Sequence, residues 1–327
     1  PPMRAPDFWY REGVGREAAP VLRALLAPLS GMYAWAGARR IAKTVSAKVA
    51  ARVICVGNLS MGGAGKTPIA RAARAVLGES AHTLSRGYGG RLKGPHRVQS
   101  QDSPADVGDE PLLHAADGPA WIARDRVAGA KAAVAAGANT IILDDGFQNP
   151  TLAKDLSILV FDAGAGIGNG RIFPAGPLRE PLGVGLQRAQ VCVVIRADPE
   201  ADRARPAYLQ GFAGPVLDAW LEAAAPPPPG PLLAFAGIAR PEKFFDTVKA
   251  LGGDLIDGAS FPDHHPFVAA EMESLARHAA HHGAQLITTE KDAVRLPKGW
   301  KDKVAVLPVK ARFADEAGFA ALVRGGG

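Results

Sequence analysis

The sequence predicts an α/β protein built on a mostly parallel sheet of the nucleotide-binding type, joined to a second, smaller α/β domain and preceded by a helical segment of different character. Three observations carry this. Continuous apolar runs at 53–56, 140–143, 156–161 and 191–195 alternate with stretches of helical periodicity, and parallel strands need crossovers of that kind. The run Ala223-Ala-Ala-Pro-Pro-Pro-Pro-Gly-Pro231 is a stiff break in composition, after which 232–238 opens a second strand-and-helix series. Residues 1–50 share neither pattern, so the expected division is 1–50, 51–222 and 223–327.

The 327 residues are 47% hydrophobic and 21% charged, an ordinary globular balance with ample core. The formal net charge of +6 favours an anionic partner: a nucleotide, a phosphorylated substrate or an acidic lipid surface. Nucleic acid ranks last, because the basic residues are dispersed and form no run interleaved with aromatics. Cys55 and Cys192 each lie inside an apolar run and read as buried thiols of a reducing compartment.

In the first segment Phe8-Trp9-Tyr10 precedes an apolar stretch over 21–35, and Arg39, Arg40, Lys43 and Lys48 follow. Arg23, Pro28 and Gly31 interrupt that stretch, whose uncharged part falls short of the ~20 residues a spanning helix needs. The preferred reading is a pair of interfacial helices, with aromatics at headgroup depth and basic residues on anionic lipid. An arm packed on the domain surface and a single span remain as alternatives.

The organising stretch is Val53-Ile-Cys-Val-Gly-Asn-Leu-Ser-Met-Gly-Gly-Ala-Gly-Lys-Thr67, a strand that breaks into glycines just before a helical pattern. Backbone N–H groups of such a loop close on phosphate and the helix N-terminus adds its dipole. The expected P-loop lining is Ser60, Gly62, Gly63, Ala64, Gly65, Lys66 and Thr67, with Lys66 on the β/γ-phosphates of ATP and the Thr67 hydroxyl on Mg²⁺. Ser60 stands where the motif's leading glycine would fall, and Met61 stands where partitioning-type ATPases carry a signature lysine.

Downstream, the strand 140–143 ends in Asp144-Asp145-Gly-Phe-Gln148, where a second magnesium-directed acid belongs in such a fold. The acids Asp109 and Glu110 open a helical pattern and serve equally as dipole-compensating groups. A long glycine- and proline-rich loop, 168–181, carries Arg171 and Arg179, each either an anion-gripping group or a surface arginine. Arg86, in a glycine-punctuated loop, has the same two readings. Asp263-His264-His265 offers a base, a shuttle or a metal ligand, or a loop histidine of no special role. Thr289-Glu-Lys-Asp292 resembles a capping box with Asp for Glu.

The motifs together resemble one family, the tetraacyldisaccharide 4′-kinases of Gram-negative lipid A synthesis. The similarity spans most of the chain: Gly57-Asn58 through Gly65-Lys66-Thr67-Pro68, Leu84-Ser-Arg-Gly-Tyr-Gly89, Gly108-Asp-Glu-Pro111, Asp144-Asp-Gly-Phe-Gln148, the 168–181 loop, Phe261-x-Asp-His264 and Thr288-Thr-Glu-Lys-Asp292. It also accounts for Ser60, since the family's loop has this form. The resemblance implies transfer of the γ-phosphoryl of ATP to the 4′-hydroxyl of a lipid A disaccharide 1-phosphate, in a cleft between two domains at the cytoplasmic face of the inner membrane. It makes Asp109 the catalytic base with His264 as partner. With it, Thr67 and Asp144 or Asp145 are expected to hold Mg²⁺, and Glu110, Arg124, Gln148, Arg171 and Arg179 to meet the acceptor. The family's Asp-Asp-Gly-Phe-Gln is usually followed by histidine, and here by Asn149. No obligate protein partner is expected. Two rival readings are a membrane-associated P-loop ATPase switch and a kinase of a small soluble metabolite.

Overall fold

The structure, a computed structural model, describes residues 6–10, 19–238 and 240–326. A 3-10 turn at Asp7–Trp9 and one long helix, α1 (Pro20–Lys43), form the N-terminal part. The main body then runs β1 (Arg52–Gly57), α2 (Lys66–Leu77), β2 (Ala81–Ser85), β3 (His96–Arg97), α3 (Pro104–Val107), α4 (Asp109–Asp117), β4 (Ala120–Ile122), α5 (Arg126–Ala135), β5 (Thr140–Asp144), β6 (Leu156–Asp162), α6 (Leu182–Gln187), β7 (Val191–Arg196) and β8 (Val216–Ala223). The remainder comprises β9 (Pro231–Ala236), α7 (Pro241–Ala250), β10 (Asp254–Ser260), α8 (Ala269–His281), β11 (Gln285–Thr289), α9 (Glu290–Ala293), β12 (Ala305–Leu307), β13 (Val309–Phe313) and α10 (Glu316–Arg324).

The strands form a nine-stranded sheet in the order β13-β8-β7-β6-β1-β5-β2-β4-β3 and a four-stranded sheet in the order β10-β9-β11-β12. The large sheet is parallel except at its edges, where β13 and β3 run antiparallel to their neighbours; the small sheet is parallel throughout. Strands β1, β5 and β6 are apolar on both faces because helices cover both: α2 and α10 on one, α5 on the other. Burying each Ile, Val or Leu of these runs contributes about 1.5–3 kcal/mol. The strand order reverses at β1, so the loop after it opens at the topological switch point where α/β sheets bind ligands.

One expectation needs correction. The second domain does not run to the C-terminus: the chain leaves β12 and, after Pro308 alone, enters β13 of the large sheet, and α10 then packs Phe319 and Val323 against α2. The apolar i, i+4 pair and the stacking of Phe319 on Phe313 at 3.8 Å hold it there. The small sheet is therefore an insertion, and its two crossing points touch, the Ala224 N–H donating to Pro308 O at 2.8 Å.

Among the described residues the N-terminal part holds one long helix; the expected pair falls partly on residues 11–18, which lie outside them. The helix is inverted relative to an ordinary surface helix. Its inward stripe is Arg23, Leu26, Ser30, Ala34, Gly37 and Ile41, while Val21, Leu25, Leu29, Met32 and Trp35 face outward, followed on that outer side by Arg39, Arg40 and Lys43. No helix among the described residues is long and apolar enough to cross a membrane.

Candidate active site

The phosphate loop is folded by its own small residues. At Gly57 a Cβ would sit 2.5 Å from Phe147 Cβ, so only glycine lets β1 pass the turn after β5. Gly65 caps α2 at φ +75°, and a side chain there would strike Ile195. Asn58, fully buried, donates to Ser60 O (2.8 Å) and accepts from Lys66 Nζ (3.3 Å), fixing both the loop and the ammonium. Register Val56↔Asp144 sets the loop's first residues beside the end of β5.

At that end Asp144 is buried, and its Oδ2 accepts from Thr67 Oγ1 (2.9 Å) and meets His114 Nε2 (2.8 Å). Oδ1 is also buried and has no partner among the described residues. Asp145 follows at φ +55°, a strained conformation for a residue with a Cβ, and lies 3.7 Å from Lys66 Nζ and 2.9 Å from Arg179 Nη1. Burial pushes its carboxyl up, but the Lys66 and Arg179 charges outweigh this and hold it below the usual range. Gln148 donates to Asn58 O (2.9 Å) and Glu180 Oε1 (3.1 Å) and accepts from Arg179 (3.3 Å), so it ties the phosphate loop to the 168–181 loop.

Gly108, at φ +90°, separates α3 from α4 and starts α4 at Asp109. Asp109 Oδ2 accepts from Arg295 Nε (2.7 Å) and pairs with His264 Nδ1 (2.8 Å), both delivered by the small-sheet unit. Burial pushes the Asp109 carboxyl up; the His264 hydrogen bond and the Arg295 charge more than reverse this, leaving it below the ordinary value. His264 stands at φ +60° with its N–H on Gly237 O (3.1 Å), so the backbone is strained where the imidazole is presented. Glu110, next in α4, has its carboxyl raised by burial and then by the Asp144 charge. Arg71 of α2 joins the same seam, pairing with Asp117 of α4 (2.6 Å) and Glu290 of α9 (3.0 Å).

Of the expected site residues, Lys66, Thr67, Asp144, Asp145, Gln148 and Arg179 converge, and Asp109 meets His264 across the seam. Ser60 bridges Leu178, bringing the 168–181 loop alongside the phosphate loop. Arg124 and Arg171 are exposed and make no ion pair among the described residues. Arg126 is the arginine turned inward after β4, its pKa lowered to about 10 by burial and by the neighbouring Arg86 charge. Asn149 is consumed by its own turn, accepting from Thr151 N (3.0 Å) and Oγ1 (2.8 Å). Arg295, Lys291 and His114 were not found by sequence reasoning. Lys291 lies within the Thr288-Thr-Glu-Lys-Asp292 motif, which assigned it no role, and no local signal marked Arg295 or His114.

The donors near Thr67 fit a magnesium ion. They are hard oxygens, one of them the buried, unpartnered Asp144 Oδ1, and no group of three or more His, Cys, Asp or Glu forms a closed cage among the described residues. Mg²⁺ is commonly bound by one or two carboxylates plus phosphates in that manner.

A phosphate loop at the switch point, a Thr–Asp pair beside it and a carboxylate hydrogen-bonded at the seam with the inserted unit define a P-loop phosphotransferase. The family profile described as Tetraacyldisaccharide-1-P 4'-kinase matches residues 22–325. The chain is 50% identical over 328 residues to the tetraacyldisaccharide 4'-kinase of Maricaulis maris, covering 98% of this chain and 96% of that protein. It is 51% identical over 335 residues to that of Caulobacter vibrioides, covering 99% and 98% respectively. Among solved structures it resembles LpxK of Aquifex aeolicus, an "apo" form in complex with ATP, with a TM-score of 0.76 and 29% identity over 93% of this chain and 98% of that one. The chain belongs to the tetraacyldisaccharide 4'-kinase family.

Proposed function

We propose that this chain transfers the γ-phosphoryl group of ATP to the 4′-hydroxyl of a tetraacyldisaccharide 1-phosphate in lipid A biosynthesis. The observation that carries the reading is Asp109: a carboxylate held below the ordinary range, its Oδ2 taken by His264 and Arg295 and its Oδ1 without a hydrogen-bond partner among the described residues, at the start of the helix whose next residue, Glu110, lies in the field of Lys66. The loop amides from Ser60 to Gly65 and the Lys66 ammonium hold the β- and γ-phosphates. Thr67 and Asp144, with Asp145 adjacent, are the residues that would hold Mg²⁺. Bound there, such an ion would supply positive charge against the phosphates during transfer.

Asp109 Oδ1 takes the proton of the acceptor alcohol as its oxygen attacks phosphorus in line; one O–P bond forms, the bridging O–P bond of the donor breaks, and ADP leaves with that electron pair. His264 donates to Asp109 and keeps the carboxylate oriented. Arg179, tied to Asp145 and Gln148, steadies charge on the transferred group, and Glu110 and Gln148 bind the acceptor. Arg124 and Arg171, being exposed, serve the acceptor's anionic end at the mouth.

The outward apolar face of α1 supports a peripheral seat on the cytoplasmic face of the inner membrane, with Arg39, Arg40 and Lys43 at the anionic headgroups. These basic residues and Trp35 line a shallow concavity of about 400 Å³. The test is mass spectrometry of the lipid after incubation with Mg-ATP: a gain of one phosphate that Asp109→Ala abolishes is expected. ATP hydrolysis with no phosphorylated lipid would overturn the reading.

A further inference from the structure

Two cations of the small-sheet unit reach the Asp109–His264 pair from opposite ends. Arg295 is buried with its guanidinium forked: Nε donates to Asp109 Oδ2 (2.7 Å), and Nη1 donates to Asp292 Oδ1 and to Gly237 O (both 3.0 Å). The same Gly237 carbonyl accepts the His264 N–H, so one backbone oxygen registers guanidinium and histidine against each other. Lys291, one helical turn before Arg295, places Nζ 3.2 Å from His264 Nε2. An ammonium has no lone pair, so its only hydrogen bond to a ring nitrogen is donation. That leaves the ring proton on Nδ1, where it points at Asp109. Asp263, 3.5 Å from Nζ and 3.9 Å from Nε2, balances the ammonium charge.

We propose that Lys291 and Arg295 are positioning residues for the base: Lys291 fixes the Nδ1–H tautomer of His264, and Arg295 with that N–H occupies one oxygen of Asp109, turning the other to the acceptor alcohol. The inference rests on Asp109 being the base and goes beyond it, since it states what gives that carboxylate its orientation. Because both come from the inserted unit, the base is complete only when that unit is seated on α4.

The test combines a double-mutant cycle with a direct reading of the tautomer. Arg295→Met is expected to lower kcat by about 10- to 100-fold with the KM for ATP unchanged, as loss of one charge-assisted bond to the reacting carboxylate requires. In an Asp109→Asn background the same change is expected to cost almost nothing further. An equal loss in both backgrounds overturns the proposal, since a merely structural arginine acts irrespective of the base. Should Arg295→Met fail to fold, Arg295→Gln, which keeps a polar side chain there but removes the charge from the bond to Asp109, takes its place in the same cycle. In ¹⁵N-histidine-labelled full-length protein, with His264 assigned by His264→Asn, Nε2 is expected to be unprotonated, and Lys291→Met to populate the other tautomer. A protonated Nε2 in the unaltered protein overturns the proposal. If Asp109→Asn alone retains full kcat, it is the base assignment that fails.

Discussion

Asp109→Asn isolates proton abstraction from architecture. The amide oxygen can take the place of Oδ2 and keep the donors His264 Nδ1 and Arg295 Nε, now at 2.8 and 2.7 Å, while the NH₂ takes the place of Oδ1. Ground-state binding of ATP should survive and the proton acceptor should be gone. Removing a general base costs about 10²–10⁴ in kcat, roughly 3–5 kcal/mol on the barrier. Arg295, buried, loses one anionic partner but keeps Asp292 at 3.0 Å, so a stability loss of about 1–3 kcal/mol is expected. The assay is transfer from radiolabelled ATP to the lipid disaccharide at saturating substrates, with calorimetry for ATP affinity and for unfolding. A kcat within threefold of the parent would refute the reasoning, and so would a loss traceable wholly to weaker ATP binding.

The pH dependence has a definite sign: the folded pKa of Asp109 is depressed, so the base stays ionised down to pH values below the ordinary aspartate range, and kcat/KM should show no acid limb from Asp109 at mildly acidic pH. A limb there that disappears in Asp109→Asn would contradict the depressed pKa of the carboxyl. Lys66→Ala should weaken ATP affinity by about 10²-fold or more, measured by calorimetry with and without Mg²⁺, because a charge-assisted phosphate contact is lost. Asn149→Ala should cost about 1 kcal/mol of stability and leave ATP affinity unchanged, since the side chain serves only its own turn. Replacing Leu25 and Met32 of α1 by Glu should abolish flotation with anionic vesicles and leave the melting temperature unchanged, since both are exposed in the folded chain.

What could be read from residues alone follows contact range. The glycine loop, Lys66, Thr67 and Asp144 announce themselves because strand, turn and helix start are local, and their spacing encodes the geometry. The pairing of Asp109 with His264, 155 residues apart, was legible only through the family resemblance; that with Arg295, 186 apart, was not legible at all, because a buried arginine and a solvated one have the same letter. The return of β13 and α10 to the large sheet was hidden for a similar reason: β13 is a short, half-polar edge strand whose partner, β8, was itself missed after the β7 run. In α1 the apolar residues were found and a lipid-facing seat was the preferred reading, but periodicity gives a stripe and not the side it packs on, so an arm packed on the domain surface stayed open beside it.

The seating of α1 bears on how the acceptor arrives. Ser30 Oγ donates to Ile172 O (2.8 Å) and accepts from Ala175 N (3.1 Å), so the helix is bolted to the loop that runs beside the phosphate cradle, and the Trp9 indole of the preceding turn donates to Pro174 O of the same loop (3.1 Å). On the proposed reading, the tilt of that helix in the leaflet sets the height and direction of the cleft mouth above the headgroups. A sugar anchored by its acyl chains then searches in two dimensions and meets the γ-phosphate without leaving the bilayer. Flexible residues inserted between α1 and β1 would leave this coupling intact, whereas Ser30→Ala would loosen it at its centre.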